Sequence, residues 1–226
     1  MENTESRNTA FEDIGQRISK AAKASRRSVS DIELVAISKT RTADEIRPLL
    51  DRGHRVFGEN RVQEAAGKWP ELRQDYADVE LHLVGQLQSN KAADAVELFD
   101  AIHSIDRLSL VKALAKAMDK LDRRIPCFVQ VNIGEESQKG GCAIEDTASL
   151  ISQAQAAGIK VAGLMCVPPS NVSPAPYFAL LAKLAKGNGL KGLSMGMSGD
   201  FESAIMLGAT HIRVGTALFG ERSSAG

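Results

Sequence analysis

The sequence has few cysteines and few aromatic residues, and it shows no excess of either charge sign. Its cysteines, Cys127, Cys142 and Cys166, are widely spaced and form no CxxC pair or cluster with histidine. Neither a metal site nor a disulfide framework is therefore indicated. Unpaired thiols of this kind are typical of a reducing compartment. We expect Cys127 and Cys166, which lie in apolar runs, to be small core residues.

The charge balance and the lack of long apolar runs exclude several classes of partner. Lysine and arginine number 28, as do aspartate and glutamate, so the formal net charge is zero and nucleic acid is not an expected partner. No apolar run approaches the length of a membrane span. The start, MENTESRNTAFEDIG, lacks the basic and apolar regions of a signal peptide. We expect a cytoplasmic protein without a membrane partner.

Short apolar runs alternate with helical segments along the chain. Residues 1–8 are predicted to form a flexible arm, and apolar spacing predicts a helix over residues 9–24. Eight strands are then predicted, over residues 34–38, 55–57, 81–84, 101–104, 128–132, 161–165, 192–195 and 211–214. This rhythm predicts an α/β fold in which residues 1–226 form a single (β/α)8 TIM barrel with an extra N-terminal helix. A doubly wound sheet is the alternative, although no GxGxxG follows an early strand.

Glycines and hydroxyl residues follow the predicted seventh and eighth strands. Ser198–Gly199 comes after the seventh strand and Gly215–Thr216 after the eighth. In TIM barrels the functional groups lie at the carboxyl ends of the strands, and the loops after strands seven and eight commonly bind phosphate. Glycine lets backbone N–H groups approach an anion, and a hydroxyl adds a donor. Ordinary turns are the alternative reading of the same residues.

A lysine follows the first predicted strand, in the stretch LVAISK that ends at Lys39. A single lysine at a barrel mouth usually extends into solvent. The alternative is a partly desolvated amine, which is more nucleophilic because desolvation favours its neutral form. Together with a phosphate site in the same mouth, such an amine indicates a phosphorylated aldehyde as its partner.

Seven motifs carry a resemblance to a known family. They are AISKTR, FGENRVQE, LHLVGQLQSNK, VNIGEESQKGG, GLMCVPP, LSMGMSGDFESAI and GATHIRVGTALFG, and the likeness covers residues 34–220. The chain resembles the pyridoxal 5′-phosphate homeostasis proteins. The resemblance implies the alanine-racemase-like barrel of the fold-type III pyridoxal phosphate proteins.

The resemblance also implies a set of cofactor-binding residues. Lys39 would carry pyridoxal 5′-phosphate as a Schiff base, Asn60 would lie near the ring, and Arg213 would face the pyridine nitrogen. Met165 would approach the ring from the sixth strand. His82 belongs to a family motif, but the resemblance assigns it no contact with the cofactor. The phosphate would be held by Ser198, Gly199, Gly215 and Thr216.

The same resemblance indicates binding rather than robust catalysis. An arginine at the pyridine nitrogen has no acceptor and disfavours protonation of that nitrogen, which weakens the electron sink. Related racemases take a second base from a tyrosine of another domain, whereas Tyr76 and Tyr177 follow no predicted strand. We therefore expect a carrier that maintains vitamin B6 and amino-acid homeostasis and that lacks catalytic residues.

Several alternatives stay open at this point. The chain could be a pyridoxal phosphate-dependent amino-acid racemase, or a Schiff-base aldolase that needs no cofactor. Enzymes that require pyridoxal phosphate are the candidate recipients of the cofactor. The sequence is compatible with either a monomer or a dimer.

Overall fold

Eight parallel strands form a closed barrel in the protein. The structure, a computed structural model, describes the backbone of residues 2–220 and the side chains of residues 9–220. Each strand pairs with its neighbours in sequence, and β8 closes the barrel on β1. The predicted (β/α)8 barrel is confirmed, and the doubly wound alternative is excluded. The strands are β1 Glu33–Ile37, β2 Val56–Glu59, β3 Glu80–Leu83, β4 Ala101–Ile105, β5 Cys127–Gln130, β6 Val161–Met165, β7 Gly192–Ser194 and β8 His211–Val214.

Charged residues that continue a strand explain some of the differences from the predicted strand bounds. Strand β1 begins at Glu33, which pairs with His211 across the barrel seam. Strand β2 extends to Glu59, which is fully buried and pairs with Leu83. A prediction from apolar residues ends each strand at the first polar residue. It therefore misses charged residues whose backbone continues the hydrogen bonding between strands. In the predicted fifth strand, Val131 forms only an isolated bridge with Cys142.

Helices surround the barrel on its outer face. None of those that the structure describes combines the length and apolar character needed to cross a bilayer. Two short 3-10 turns, Val29–Asp31 and Ser89–Lys91, precede β1 and α5. The helices are α1 Glu2–Ala24, α2 Ala43–Asp51, α3 Val62–Ala66, α4 Trp69–Asp75, α5 Ala92–Leu98, α6 Leu108–Leu121, α7 Thr147–Ala156, α8 Ala175–Gly187, α9 Phe201–Met206 and α10 Thr216–Phe219.

Helix α1 fills the position of an eighth barrel helix. Helix α10, which follows β8, has only four residues, and α1 packs against α2, α9 and α10. Ile14 and Ile18 of α1 are buried, and the Nε atom of Arg17 donates to the Glu202 carboxylate over 2.7 Å. The structure describes residues 2–8 as the start of helix α1, where the sequence predicted an arm. Residues 2–8 contain no glycine or proline, and acidic residues near a helix N-terminus favour its dipole.

Candidate functional site

A cavity of about 480 Å³ lies where the strands end. Its walls come from the ends of β1 and β8 and from the segments that follow β1, β2, β3, β6, β7 and β8. This volume falls in the range of small-molecule sites. Seven of the predicted site residues line the cavity together, namely Lys39, Asn60, Ser198, Gly199, Arg213, Gly215 and Thr216.

Met165 is the predicted site residue that does not line the cavity. Its side chain is 1% exposed, and on β6 it pairs in register with Gln130 and Ser194. Its contact with a bound ring stays a prediction. The sequence reasoning did not single out Arg41 and Met197, which also line the cavity. Both lie within two residues of a predicted site residue, so the sequence indicated their loops but not these individual positions.

Lys39 is presented by a tight turn between β1 and α2. The next residue, Thr40, has a φ of 62°, in the left-handed region that β-branched residues rarely adopt. Thr42 and Glu45 then form a capping box that starts α2. The half-buried Lys39 points into the cavity. Among the residues that the structure describes, its amine has neither a hydrogen-bond partner nor an ion-pair partner.

Asn60 owes its position to a close approach between two backbones. It follows β2, and Gly85 follows β3 in the neighbouring loop. A Cβ atom at Gly85 would lie 2.2 Å from the carbonyl oxygen of Asn60, a distance that no side chain tolerates. Glycine at this position therefore allows the two loops to pack, which keeps Asn60 at the cavity wall.

Arg213 lies at the floor of the cavity and is held by neutral groups. Its Nη1 atom donates to the Ser194 hydroxyl over 2.7 Å, and its Nη2 atom donates to the Cys166 carbonyl over 2.8 Å. Within the described part of the chain, no carboxylate lies at ion-pair distance. Burial lowers the pKa of the Arg213 guanidinium. Arginine nevertheless keeps its proton at neutral pH, so the cavity floor carries a positive charge.

Beneath Arg213, the hydrogen-bonded chain continues to a buried histidine. The Nδ1 atom of His103 lies 2.8 Å from the Ser194 hydroxyl oxygen. Burial lowers the pKa of His103 well below its ordinary value, and the nearby charges of His82, His211 and Arg213 lower it further. His103 is therefore neutral. The Ser194 oxygen accepts from Arg213, and its own hydrogen is directed to His103 Nδ1, because this arrangement leaves fewest polar atoms unpaired.

His82 lies below the cavity and does not line it. Its ring centroid is 5.0 Å from that of His103, and its Nε2 atom is 3.9 Å from the Glu80 carboxylate. His211 lies close by, with its Nε2 atom 3.2 Å from the Glu33 carboxylate. The histidine of the LHLVGQLQSNK motif is thus part of the barrel interior.

The loops after β7 and β8 are joined by one side chain. The Ser198 hydroxyl oxygen accepts from the backbone N–H groups of Gly215 and Ala217, each over 3.3 Å. A Cβ atom added at Gly199 would meet nothing within 4 Å, so open space lies in front of this backbone. Hydroxyls and N–H groups around such a space form a donor set suited to an oxyanion.

The comparisons with known proteins agree with this architecture. The family model described as the N-terminal domain of alanine racemase matches residues 15–223. The pyridoxal phosphate homeostasis protein of Pseudomonas aeruginosa is 40% identical over 217 residues, covering 92% of this chain and 93% of that protein. The structure of PipY from Synechococcus elongatus PCC7942 with PLP bound is 37% identical with a TM-score of 0.78, covering 90% of this chain and 100% of that one.

A more distant structure supports the fold alone. An alanine racemase from Clostridium difficile 630 superimposes with a TM-score of 0.71 at 15% identity. The match covers 100% of this chain and 58% of that one.

Proposed function

The chain belongs to the alanine racemase N-terminal domain family, together with the pyridoxal phosphate homeostasis proteins, and on this premise we propose that it binds pyridoxal 5′-phosphate. It carries the cofactor covalently on Lys39 and maintains vitamin B6 and amino-acid homeostasis. The relatives are named pyridoxal phosphate homeostasis proteins, and PipY was solved with PLP bound. Robust catalysis is not part of the proposed function.

One observation carries the proposal. The cavity combines the Lys39 amine, which has no partner among the described residues, with the open donor set at Ser198 and Gly199. When bound, the cofactor supplies an aldehyde that condenses with a primary amine and a phosphate that needs several donors. The residues of the cavity fit both ends of such a molecule.

Each residue of the proposed site would then have a defined task. Lys39 would provide the amine, and Asn60 would lie beside the ring. Arg213 would donate toward the ring nitrogen and, as a permanent cation, would oppose its protonation. Met165, which does not line the cavity, would support the ring from β6. The phosphate would be held by Ser198, Gly199, Gly215 and Thr216.

The composition of the cavity wall supports binding of the cofactor rather than catalysis. Within the described chain, its titratable side chains are Lys39, Arg41 and Arg213, and no carboxylate, imidazole, thiol or phenol lines it. Racemisation needs a proton acceptor and a proton donor on opposite faces of the substrate. Lys39 alone could serve as proton donor or acceptor on only one face of the substrate. We therefore expect little or no racemase activity.

The proposal also includes the cellular compartment and the partners of the protein. The protein acts in the cytoplasm, where it exchanges the cofactor with the free pool and with apoenzymes that require it. Neither nucleic acid nor a membrane is a partner. The barrel can act as a monomer or as a dimer.

The test is the visible absorption spectrum of the purified protein before and after borohydride reduction, followed by peptide mapping. A yellow protein whose reduced label lies on Lys39 supports the proposal. The Lys39→Ala variant is expected to lose the label while keeping its thermal stability, because the Lys39 amine has no hydrogen-bond or ion-pair partner among the described residues. A colourless protein that takes up no added pyridoxal phosphate overturns the proposal and leaves a cofactor-free aldolase or a barrel without this chemistry.

A further inference from the structure

A second lysine lies beneath the turn that carries Lys39. Lys68 precedes α4, and its side chain is only 10% exposed. Its Nζ atom donates to the carbonyl oxygens of Ser38 over 2.8 Å and of Arg41 over 3.1 Å. These two carbonyls flank residues 39 and 40 in the chain. One ammonium group therefore joins both ends of the turn.

The remaining contacts of Lys68 are with two carboxylates. Its third N–H donates to Glu64 Oε1 over 3.0 Å, so all three hydrogens are used. Glu59 Oε1 lies 2.9 Å from the same Nζ atom. This oxygen also accepts from the Ser38 hydroxyl over 2.6 Å and from Trp69 Nε1 over 3.0 Å. Glu59 is fully buried, so its charge depends on these partners.

The turn between β1 and α2 is strained, and Glu64 holds it through a further contact. Thr40 has a φ of 62°, and its backbone N–H donates to the Glu64 carboxylate. A β-branched residue keeps such a conformation only where its surroundings impose it. Lys68 and Glu64 are the side chains that hold the backbone of this turn, together with the hydrogen bond from the Arg41 N–H to the Ser38 carbonyl. The strain and the ion-pair cluster thus converge on the residue next to Lys39.

From this arrangement we propose that Lys68, paired with Glu59 and Glu64, is a positioning residue that fixes residues 38–41 so that the Lys39 amine points into the cavity. The proposal rests on the proposed function for its role in cofactor attachment. Lys68 does not line the cavity. It acts through the backbone, and its three donors are engaged while the Lys39 amine stays available.

The first experiment compares two ligands on a Lys68→Met variant. Pyridoxal 5′-phosphate condenses with Lys39, whereas pyridoxamine 5′-phosphate has no aldehyde and reports only on the other contacts. We expect the Kd for pyridoxal phosphate to rise at least tenfold and the borohydride-trapped fraction on Lys39 to fall. The Kd for pyridoxamine phosphate should change less than twofold. Equal weakening for both ligands would overturn the proposal, because it would mean a general loss of the site.

A second variant separates positioning from stability. Lys68→Met leaves the Glu59 carboxylate buried without its cation, which destabilises the fold. The double variant Glu59→Gln/Lys68→Met removes that charge, so its thermal stability should recover while its trapping of the cofactor on Lys39 stays low. Recovery of both would show that Lys68 serves stability alone. Lys91→Met is the matched control, since Lys91 forms a partly exposed pair with Asp94 over 3.2 Å.

Amide hydrogen exchange tests the turn in the absence of any cofactor. In the Lys68→Met variant, the amides of residues 39–41 should exchange at least tenfold faster than in the parent protein. Faster exchange in a protein that takes up no pyridoxal phosphate would preserve the role of Lys68 in the turn and overturn the proposed function. Unchanged exchange, with unchanged trapping of the cofactor on Lys39, would overturn the role of Lys68.

Discussion

Arg213 donates a hydrogen bond from Nη1 to the Ser194 hydroxyl over 2.7 Å inside the barrel. The Ser194 hydroxyl donates a hydrogen bond to the neutral His103, so no negative charge offsets the guanidinium along this series of hydrogen bonds. The floor of the cavity is therefore a fixed, positively charged donor. This relationship leads to the first two predictions.

Arg213→Glu is expected to change the absorption spectrum of the loaded protein with pH. In the parent protein, the guanidinium opposes protonation of the ring nitrogen, so the visible band should be constant between pH 6 and 8, as a rough working range. A carboxylate at this position would accept a hydrogen bond from a protonated ring nitrogen. A pH titration of the spectrum of each protein tests this assignment, and identical titrations would contradict it.

Ser194→Ala is expected to lower the free energy of unfolding by about 1–3 kcal/mol, because it leaves a buried guanidinium N–H unpaired. Ser104→Ala is the matched control. Ser104 is also fully buried, but its hydroxyl has no hydrogen-bond partner within the described chain. Its removal should be close to neutral. Urea unfolding of the three proteins gives the comparison, and equal losses for the two variants would rule out the Arg213–Ser194 contact as a stabilising bond.

His103 should make stability depend on pH below neutrality. Burial lowers its pKa well below 6.5 in the folded protein, whereas the unfolded chain takes up a proton near that pH. The free energy of unfolding should thus fall as the pH falls below about 6.5, with a limiting slope of about 1.4 kcal/mol per pH unit from this residue. His103→Asn should lose this share of the slope. His54, whose pKa burial also lowers, contributes equally to both proteins. Urea unfolding at pH 7.5 and 5.5 measures the difference, and parallel pH profiles would exclude His103 as its source.

Gly199→Val is expected to weaken binding of pyridoxal phosphate at least tenfold without lowering the melting temperature. A Cβ atom at Gly199 meets no atom beyond its chain neighbours within 4 Å, so a valine side chain would extend into the space assigned to the phosphate. Gly15→Val is the matched control, since a Cβ atom there also enters open space but lies on α1. Isothermal titration and thermal unfolding measure both effects. Binding that stays at the parental level would place the phosphate elsewhere.

The cysteines should resist alkylation in the folded protein. Burial raises the pKa of Cys127 and of Cys166 to about 12, and it also raises the pKa of Cys142. Thiolate is the reactive form, and it is scarce at neutral pH for all three side chains. Mass spectrometry after treatment with iodoacetamide should find no label until denaturant is added. Rapid labelling of any one of them in the native protein would contradict its burial.

The sequence predicted the barrel and most of the cavity because each signal was local. An apolar run followed by Lys39, or by Ser198 and Gly199, could be read from neighbouring residues alone. The Glu59–Lys68 pair could not be predicted in this way. The pair joins Glu59 of β2 to Lys68, which precedes α4. Nothing in the sequence spacing shows that Glu59 is buried or that Lys68 lies against the turn between β1 and α2.

The position of Met165 shows a second limit of the sequence. Strand periodicity indicates that a residue is buried but not whether it faces a ligand cavity or packs within the barrel wall. Arg41 shows the converse. It follows the predicted lysine by two residues, and only the conformation of the turn at Thr40 brings it to the cavity wall.

The packing of α1 against α9 and α10 also affects how the chain folds during synthesis. Ile14 and Ile18 emerge from the ribosome early, but their packing partners in α9 and α10 lie near residues 201–219. At usual rates of translation this interval lasts roughly ten to forty seconds. Throughout it, β1 also lacks its neighbour β8. The nascent chain therefore exposes an apolar helix face and an open strand edge, which are the features that chaperones bind and that promote aggregation.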